Sequence, residues 1–256
     1  NEGRPIITQK QIDQEIDEGM PPDLVQQEFY CSFDAGQQGA YYADLIAKLD
    51  ERDRIGDYPY RPDLPVFTAW DLGLGDANAI WFAQAVDGAI NVIDYEEDTG
   101  VPLSEWIKVV KDKPYVYRTH YGPHDLEQRE YTSGKTRLEI ASELGIEFEI
   151  VQKLPLKEGI ETTRAFIPRC RFDEAKCEVG LNALMNYTKV FDDRMNAYRD
   201  KPRHDWASNG ADAFRQLAVG WEDAMVGPQK RHRVITSQGQ PRGYWRKPQT
   251  RGGYQL

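Results

Sequence analysis

Cysteine and histidine are the scarce residues here, three and four among 256. Cys31, Cys170 and Cys177 are odd in number, and no two of them form a C-x-x-C pair. Neither a disulfide framework nor a zinc site is therefore expected, and reduced thiols in a cytoplasm fit the pattern. With no histidine cluster, a nitrogen- or sulfur-rich metal centre is not expected either. Any ion would be held by oxygen, which favours a hard cation such as magnesium or manganese. No run of about 18 apolar residues occurs, so no membrane-spanning helix is expected. No basic-then-apolar leader follows Asn1, so no secretory signal is expected, and the missing initiator Met keeps open that the chain is a fragment.

Nucleotide loops are also lacking. Ser133-Gly-Lys-Thr136 carries Arg129 where the G-x-x-x-x-G-K-[ST] pattern needs glycine, and no apolar strand precedes it. Gly73-x-Gly75 lacks the third glycine of a dinucleotide site. No ATPase is expected in this chain.

What is present is a globular composition, 40% hydrophobic and 29% charged, with a net charge of −10. The charge is unevenly placed. Residues 228–256 hold seven Lys/Arg and no Asp or Glu, leaving 25 Lys/Arg against 42 Asp/Glu, a balance of −17, for the rest. That describes an acidic body with a basic, flexible tail, which either touches DNA or serves as a solubilising end.

Three segments are expected. Residues 1–64 form an accessory lead-in: a polar helix over 9–18, a break at Met20-Pro21-Pro22, a strand over 28–34 and a helix over 39–52. A Pro-rich linker over 57–65 closes it. Residues 65–227 form the main domain. Strand patterns over 66–72, 79–86 and 90–95, the last two joined by Asp87-Gly88, predict an antiparallel three-strand meander. Helices over 103–111, 136–144, 159–167 and 174–186 then alternate with strands over 115–119, 146–151 and 187–191, before a long helix over 205–225. This is an α/β mixed sheet with helices on its faces. Residues 228–256 are the tail.

Three aspartates stand out. Asp71 ends the first strand beside Gly73 and Gly75, where a ligand can approach the backbone; the alternative is an Asx turn. Asp125 lies in Tyr121-Gly-Pro-His-Asp125, in a loop off a sheet edge; the alternative is a helix N-cap. Asp212 sits inside a helix among Ala211, Ala213 and Phe214, where a carboxylate needs a partner or a metal; the alternative is an ion pair with Arg215. Asp205, two turns earlier, is a fourth acidic contributor or the helix cap, with the cap favoured. His124 and His204 each precede one of these aspartates, as ligand-orienting or phosphate-contacting groups or as ordinary surface histidines. Three carboxylates on separate elements suit two ions of Mg2+ or Mn2+ acting on a phosphodiester.

Taken together, Trp70-Asp-Leu-Gly73 with Asp76, Pro123-His-Asp125, and His204-Asp-Trp-Ala-Ser-x-x-Ala-Asp-Ala-Phe-Arg215 resemble the nuclease domain of tailed-phage large terminase subunits. Glu28-Phe-Tyr-Cys-Ser-Phe-Asp34 and Gly39-Ala-Tyr-Tyr42 resemble the stretch that joins that family's motor to its nuclease, so the likeness runs over roughly residues 25–220. The resemblance implies a ribonuclease H-like fold and Mg/Mn-dependent cutting of concatemeric double-stranded viral DNA during packaging in the host cytoplasm. It places the acidic triad on Asp71, Asp125 and Asp212, with Asp76 and Asp205 as second-tier residues. It implies a motor domain, a small terminase subunit and a portal as partners. The sequence departs from the pattern at Asn209, where histidine is expected, and in having no Walker A motif. Two other readings stay open: a ribonuclease H-like nuclease of the junction-resolvase type, and a non-enzymatic packaging module.

Overall fold

A computed structural model describes residues 39–73, 77–129, 134–192, 194–195 and 197–226. The expected helix over 9–18, the strand over 28–34, the basic tail, Cys31 and Asp76 lie outside the described residues.

The described chain begins with α1 (Ala43–Asp50) and the two-residue β1 (Ile55–Gly56). The expected meander follows as β2 (Val66–Leu72), β3 (Ala77–Val86) and β4 (Ala89–Thr99). Asp87 and Gly88 both take positive φ, 50° and 77°, as the two-residue hairpin turn between β3 and β4 requires. Next come α2 (Leu103–Asp112), β5 (Tyr117–Gly122), a 3-10 turn (His124–Glu127), α3 (Arg137–Glu143) and β6 (Phe148–Ile150). The remainder is α4 (Leu156–Phe166), β7 (Cys170–Asp173), α5 (Glu174–Asn186), a separate hairpin of β8 (Lys189–Asp192) and β9 (Ala197–Pro202), and α6 (Trp206–Val226).

The seven-stranded sheet has the order β1-β7-β4-β3-β2-β5-β6. β3 is antiparallel to both its neighbours, and every other adjacent pair is parallel. The C-terminal ends of β2, β4, β5, β6 and β7 therefore all point to one rim. One sheet face packs Phe67, Ala69, Trp81 and Val92 under α4, α5 and α6. The other packs Val66, Trp70, Ile80 and Phe82 under α2 and α3. Trp81 and Trp70, fully buried on opposite faces, anchor the two halves of the core. Burial of each such side chain contributes roughly 2–3 kcal/mol.

Glycine lets α6 lie close on the sheet. A Cβ at Gly210 would stand 2.7 Å from the Tyr95 hydroxyl, and one at Gly220 would stand 2.6 Å from the Tyr121 ring. Trp81 Nε1 donates to the Gly210 carbonyl at 2.8 Å, which fixes the helix along its length.

Three expectations change. Residues 39–64 are built into the domain rather than leading up to it. Ile46 and Leu49 of α1 belong to the main core, and β1 extends the sheet by pairing with β7. The Pro-rich stretch is strapped down by Gln84, whose amide accepts from Arg61 N at 2.8 Å and donates to the Arg61 and Leu64 carbonyls. Residues 189–192 pair with β9, outside the main sheet. β7 was not expected at all: its four residues are too few to show a period, and its place is set by pairing with β1 and β4.

Candidate metal-binding rim of the sheet

β2 and β5 lie side by side and parallel, with Ala69 opposite Tyr121. Their C-terminal ends therefore bring Asp71 and the segment Pro123-His124-Asp125 to adjacent places on the rim. Ligands of open α/β sheets gather at this end of the strands. Asp71 is the penultimate residue of β2 and half-buried, on the face shared with Phe67 and Ala69 under α6. Asp125 is not an N-cap. Pro123 holds that position, and Asp125 is the second residue of the 3-10 turn. The turn is pinned by Leu126, which is fully buried and packs so tightly over Gly122 that a Cβ there would meet it at 2.4 Å. The Asp125 carboxylate is left 55% exposed, with His124 Nε2 at 2.9 Å.

Two residues at this rim escaped the sequence reading. Glu97 completes a row across the sheet, because Asp71 pairs with Ala79 and Ala79 with Glu97. All three share the α6 face. The Tyr95 hydroxyl donates to Glu97. That hydroxyl is held well above the ordinary tyrosine range by burial first, then by Glu97 and by the nearby Asp71 charge, so it stays protonated. Arg137 opens α3 directly after a capping box in which Thr136 accepts from Glu139 N and Glu139 accepts from Thr136 N. Its guanidinium donates to the Leu72 carbonyl at 2.8 Å, at the end of β2.

The α6 residues divide. Asp205 caps the helix, accepting from Ala207 N at 3.1 Å, and pairs with Arg203 Nε at 3.3 Å. His204 Nδ1 lies 3.1 Å from Ser208 Oγ. Asn209 is buried. Asp212 is about 200° around the helix from the sheet-facing Gly210. Its Oδ1 accepts from Arg215 Nη2 at 2.8 Å and from the Tyr187 hydroxyl at 3.2 Å. The Arg215 pairing weighed from sequence is thus present. Asp71 and Asp125 are rim neighbours, whereas Asp212 is engaged among the helices.

The donors on offer are all carboxylate oxygens, which by their chemistry fit a hard divalent ion. Among the described residues, no three His, Cys, Asp or Glu side chains stand together closely enough to hold one ion. No described helix is long and apolar enough to cross a membrane.

A sheet with an antiparallel meander, parallel flanks and helices on both faces is a ribonuclease H-like architecture. Known structures narrow the class. The P22 large terminase nuclease domain is 15% identical at a TM-score of 0.53, over 69% of this chain and 92% of that one. The nuclease domain of the bacteriophage SPP1 large terminase g2p, solved with bound Mn, is 16% identical at 0.50, over 67% and 97%. The large terminase of a thermophilic bacteriophage is 12% identical at 0.54 and covers 83% of this chain. The chain spans about half, 52%, of that protein's length. No protein-family model and no curated protein matches the sequence. At these identities the likeness is one of fold: the chain has the fold of large-terminase nuclease domains.

Proposed function

We propose that this chain is a divalent-metal-dependent endonuclease that cuts double-stranded DNA, the nuclease part of a phage large terminase acting on concatemeric viral DNA during packaging in the infected cell. The observation that carries the reading is the placement of Asp71 and Asp125 at adjacent C-terminal strand ends of this fold. Mg2+ or Mn2+, two ions on this reading, would supply Lewis-acid stabilisation of the phosphodiester and a water of lowered pKa. Asp71, Asp125 and Asp212 would hold them, with Asp76 and Asp205 as further acidic groups.

The chain's own residues prepare the rim for that task. Asp71 is half-buried on the α6 face, within electrostatic reach of the Tyr95 hydroxyl. Leu126 locks the turn that lifts Asp125 clear of β5. His124 restrains the Asp125 carboxylate. Arg137 brings a guanidinium to the strand end, suited to a phosphate oxygen. The motor domain, the small subunit and the portal would be partners, with ATP hydrolysis supplied outside this chain.

Supercoiled plasmid incubated with Mn2+, Mg2+ or EDTA tests the reading. Nicking and linearisation are expected with the ions alone. Asp71→Asn, Asp125→Asn and Asp212→Asn should each abolish them without changing the circular-dichroism spectrum. Retained degradation by all three variants contradicts the reading. Cutting confined to branched DNA would favour a resolvase.

A further inference from the structure

Residues 39–41 and the hairpin of β8 and β9 are built as one unit. Ala40 forms an antiparallel bridge with Thr188. Tyr41 N donates to the Tyr187 carbonyl and Lys189 N to the Gly39 carbonyl, each at 2.9 Å. On the far side of the same stretch Lys189 pairs with Pro202, and Arg203 N donates to the Thr188 carbonyl at 2.8 Å. Residues 39–41, 187–189 and 202–203 thus lie side by side as a three-stranded base. The last of these strands runs directly into Asp205, which Arg203 Nε meets at 3.3 Å and which caps α6. The first turns of α6 lie at the rim, since a Cβ at Gly210 would meet the Tyr95 hydroxyl that donates to Glu97.

Side chains close the same joint. Gly39 takes a φ of 86°, and Tyr198 of β9 lies over it so closely that a Cβ would stand 2.5 Å from the ring. Lys189 Nζ lies 5.6 Å from the centre of the Tyr41 ring and 3.5 Å from Asp200 of β9, so one ammonium bridges the two. The hold is uneven along the segment. Tyr42 is 1% exposed and stacks on Tyr187, and α1 follows it into the core. Gly39 and Ala40 are only partly buried, on a strand attached by two main-chain hydrogen bonds. Such a segment can peel away as far as Tyr41 while the core stays closed.

We propose that residues 39–41 are a clasp that couples the chain entering the domain to the rim. In place, they hold the hairpin and the Asp205 end of α6 in one arrangement. Displaced by a pull on the preceding chain, they release both. A two-stranded ribbon is marginal by itself, and β9 is exposed along five of its six residues. The third strand is therefore what steadies the base, and the base is what sets the chain leading into Asp205. The coupling itself needs no metal; only its effect on cutting rests on the nuclease reading.

Amide hydrogen exchange on the whole chain in EDTA, read residue by residue, tests the coupling. Gly39→Val drives a side chain against Tyr198, and Tyr198→Ala takes the ring away from the hairpin side. Gly39→Val is expected to speed exchange about tenfold at Lys189 and, through the base, at Arg203 and Ala207. Tyr198→Ala should act in the same direction. Amides of β2 and β3 should keep their wild-type rates, and Met195→Ser at the hairpin tip should match wild type throughout. Faster exchange at Lys189 alone overturns the coupling, and so does unchanged exchange at all three amides. Equal acceleration in β2 and β3 overturns it too, since the segment would then hold the whole fold. With Mn2+ present, Gly39→Val should cut plasmid about tenfold more slowly. Wild-type cutting by a variant whose Arg203 and Ala207 amides exchange faster removes the clasp's hold on the rim. A wild-type chain that does not cut overturns the nuclease reading, while the exchange rates still decide the coupling.

Discussion

β4 carries carboxylates on both faces, and the chain treats the two sets differently. On the face under α2 and α3, Asp94 and Glu96 meet Lys113 Nζ at 2.7 and 2.6 Å. Tyr115 adds its hydroxyl to Asp94 at 2.7 Å. Burial pulls the Lys113 amine down, but the two carboxylates outweigh it and hold it above the ordinary lysine range. On the α6 face, Glu97 receives a tyrosine hydroxyl, and Asp71 and Asp125 continue the acidic edge along the rim. The first set carries its cation within the chain and ties β4 to the end of α2. The second lies at the strand-end rim, where the proposed divalent ion would sit. Carboxylates of one sheet thus divide into a closed group, paired with Lys113 inside the fold, and an open group that faces the rim.

The strongest way to break this comparison sets Asp71→Asn against Lys113→Met. The first should lower plasmid cleavage on the order of a thousandfold and leave the urea midpoint in place. The second should leave Asp94, 7% exposed, without its cation. A loss of about 3–5 kcal/mol in urea denaturation is expected. An unchanged midpoint for Lys113→Met would show that the closed group holds nothing.

A smaller effect comes from His120, partly buried in the same half of the molecule as the closed group. Its Nδ1 lies 2.7 Å from Thr68 Oγ1, and burial lowers its pKa from 6.5 to about 4. The folded state therefore keeps this histidine neutral while the unfolded chain takes up a proton below pH 6.5. Stability is full above that pH and falls as pH drops from about 6.5 towards 4, by about 3 kcal/mol in total. Urea midpoints across this range should slope less in His120→Leu; parallel slopes would remove His120 as the cause.

The smallest effect concerns Asp205. Asp205→Ala should cost about 1 kcal/mol, the usual worth of an N-cap, and Asp205→Ser should restore it. If Asp205→Ser is stable yet fails to cut, Asp205 belongs to the open group as well as to the helix cap.

Much of this was legible in the residues, for physical reasons that differ by element. The meander reads well because β2 and β3 are largely apolar runs of seven and ten residues, buried almost throughout, and Asp87-Gly88 dictates its own turn. α5 runs over the residues expected, 174–186, with Asp173 accepting from Lys176 N as its cap. Asp71 stands out because it sits near the end of a largely apolar strand, and Asp125 because it lies in the segment just after a strand. Glu97 was hidden by a register shift. Counting by twos from Val92 puts Asp94 and Glu96 on the α6 face. An irregularity between Phe82 and Ala83 instead leaves Ile93 as the extra residue and sends Tyr95 and Glu97 there. In sequence, Glu96-Glu97-Asp98 reads as a solvated run. The pocket around Asp212 was half visible: Arg215, three residues on, is a local signal, whereas Tyr187 and Tyr42 arrive only by tertiary packing.

Anomalous scattering from crystals grown with Mn2+ tests the central claim most directly. The account expects density within about 2.5 Å of carboxylate oxygens of both Asp71 and Asp125. Manganese absent from Asp71, or gathered instead at Asp94 and Glu96, would contradict it.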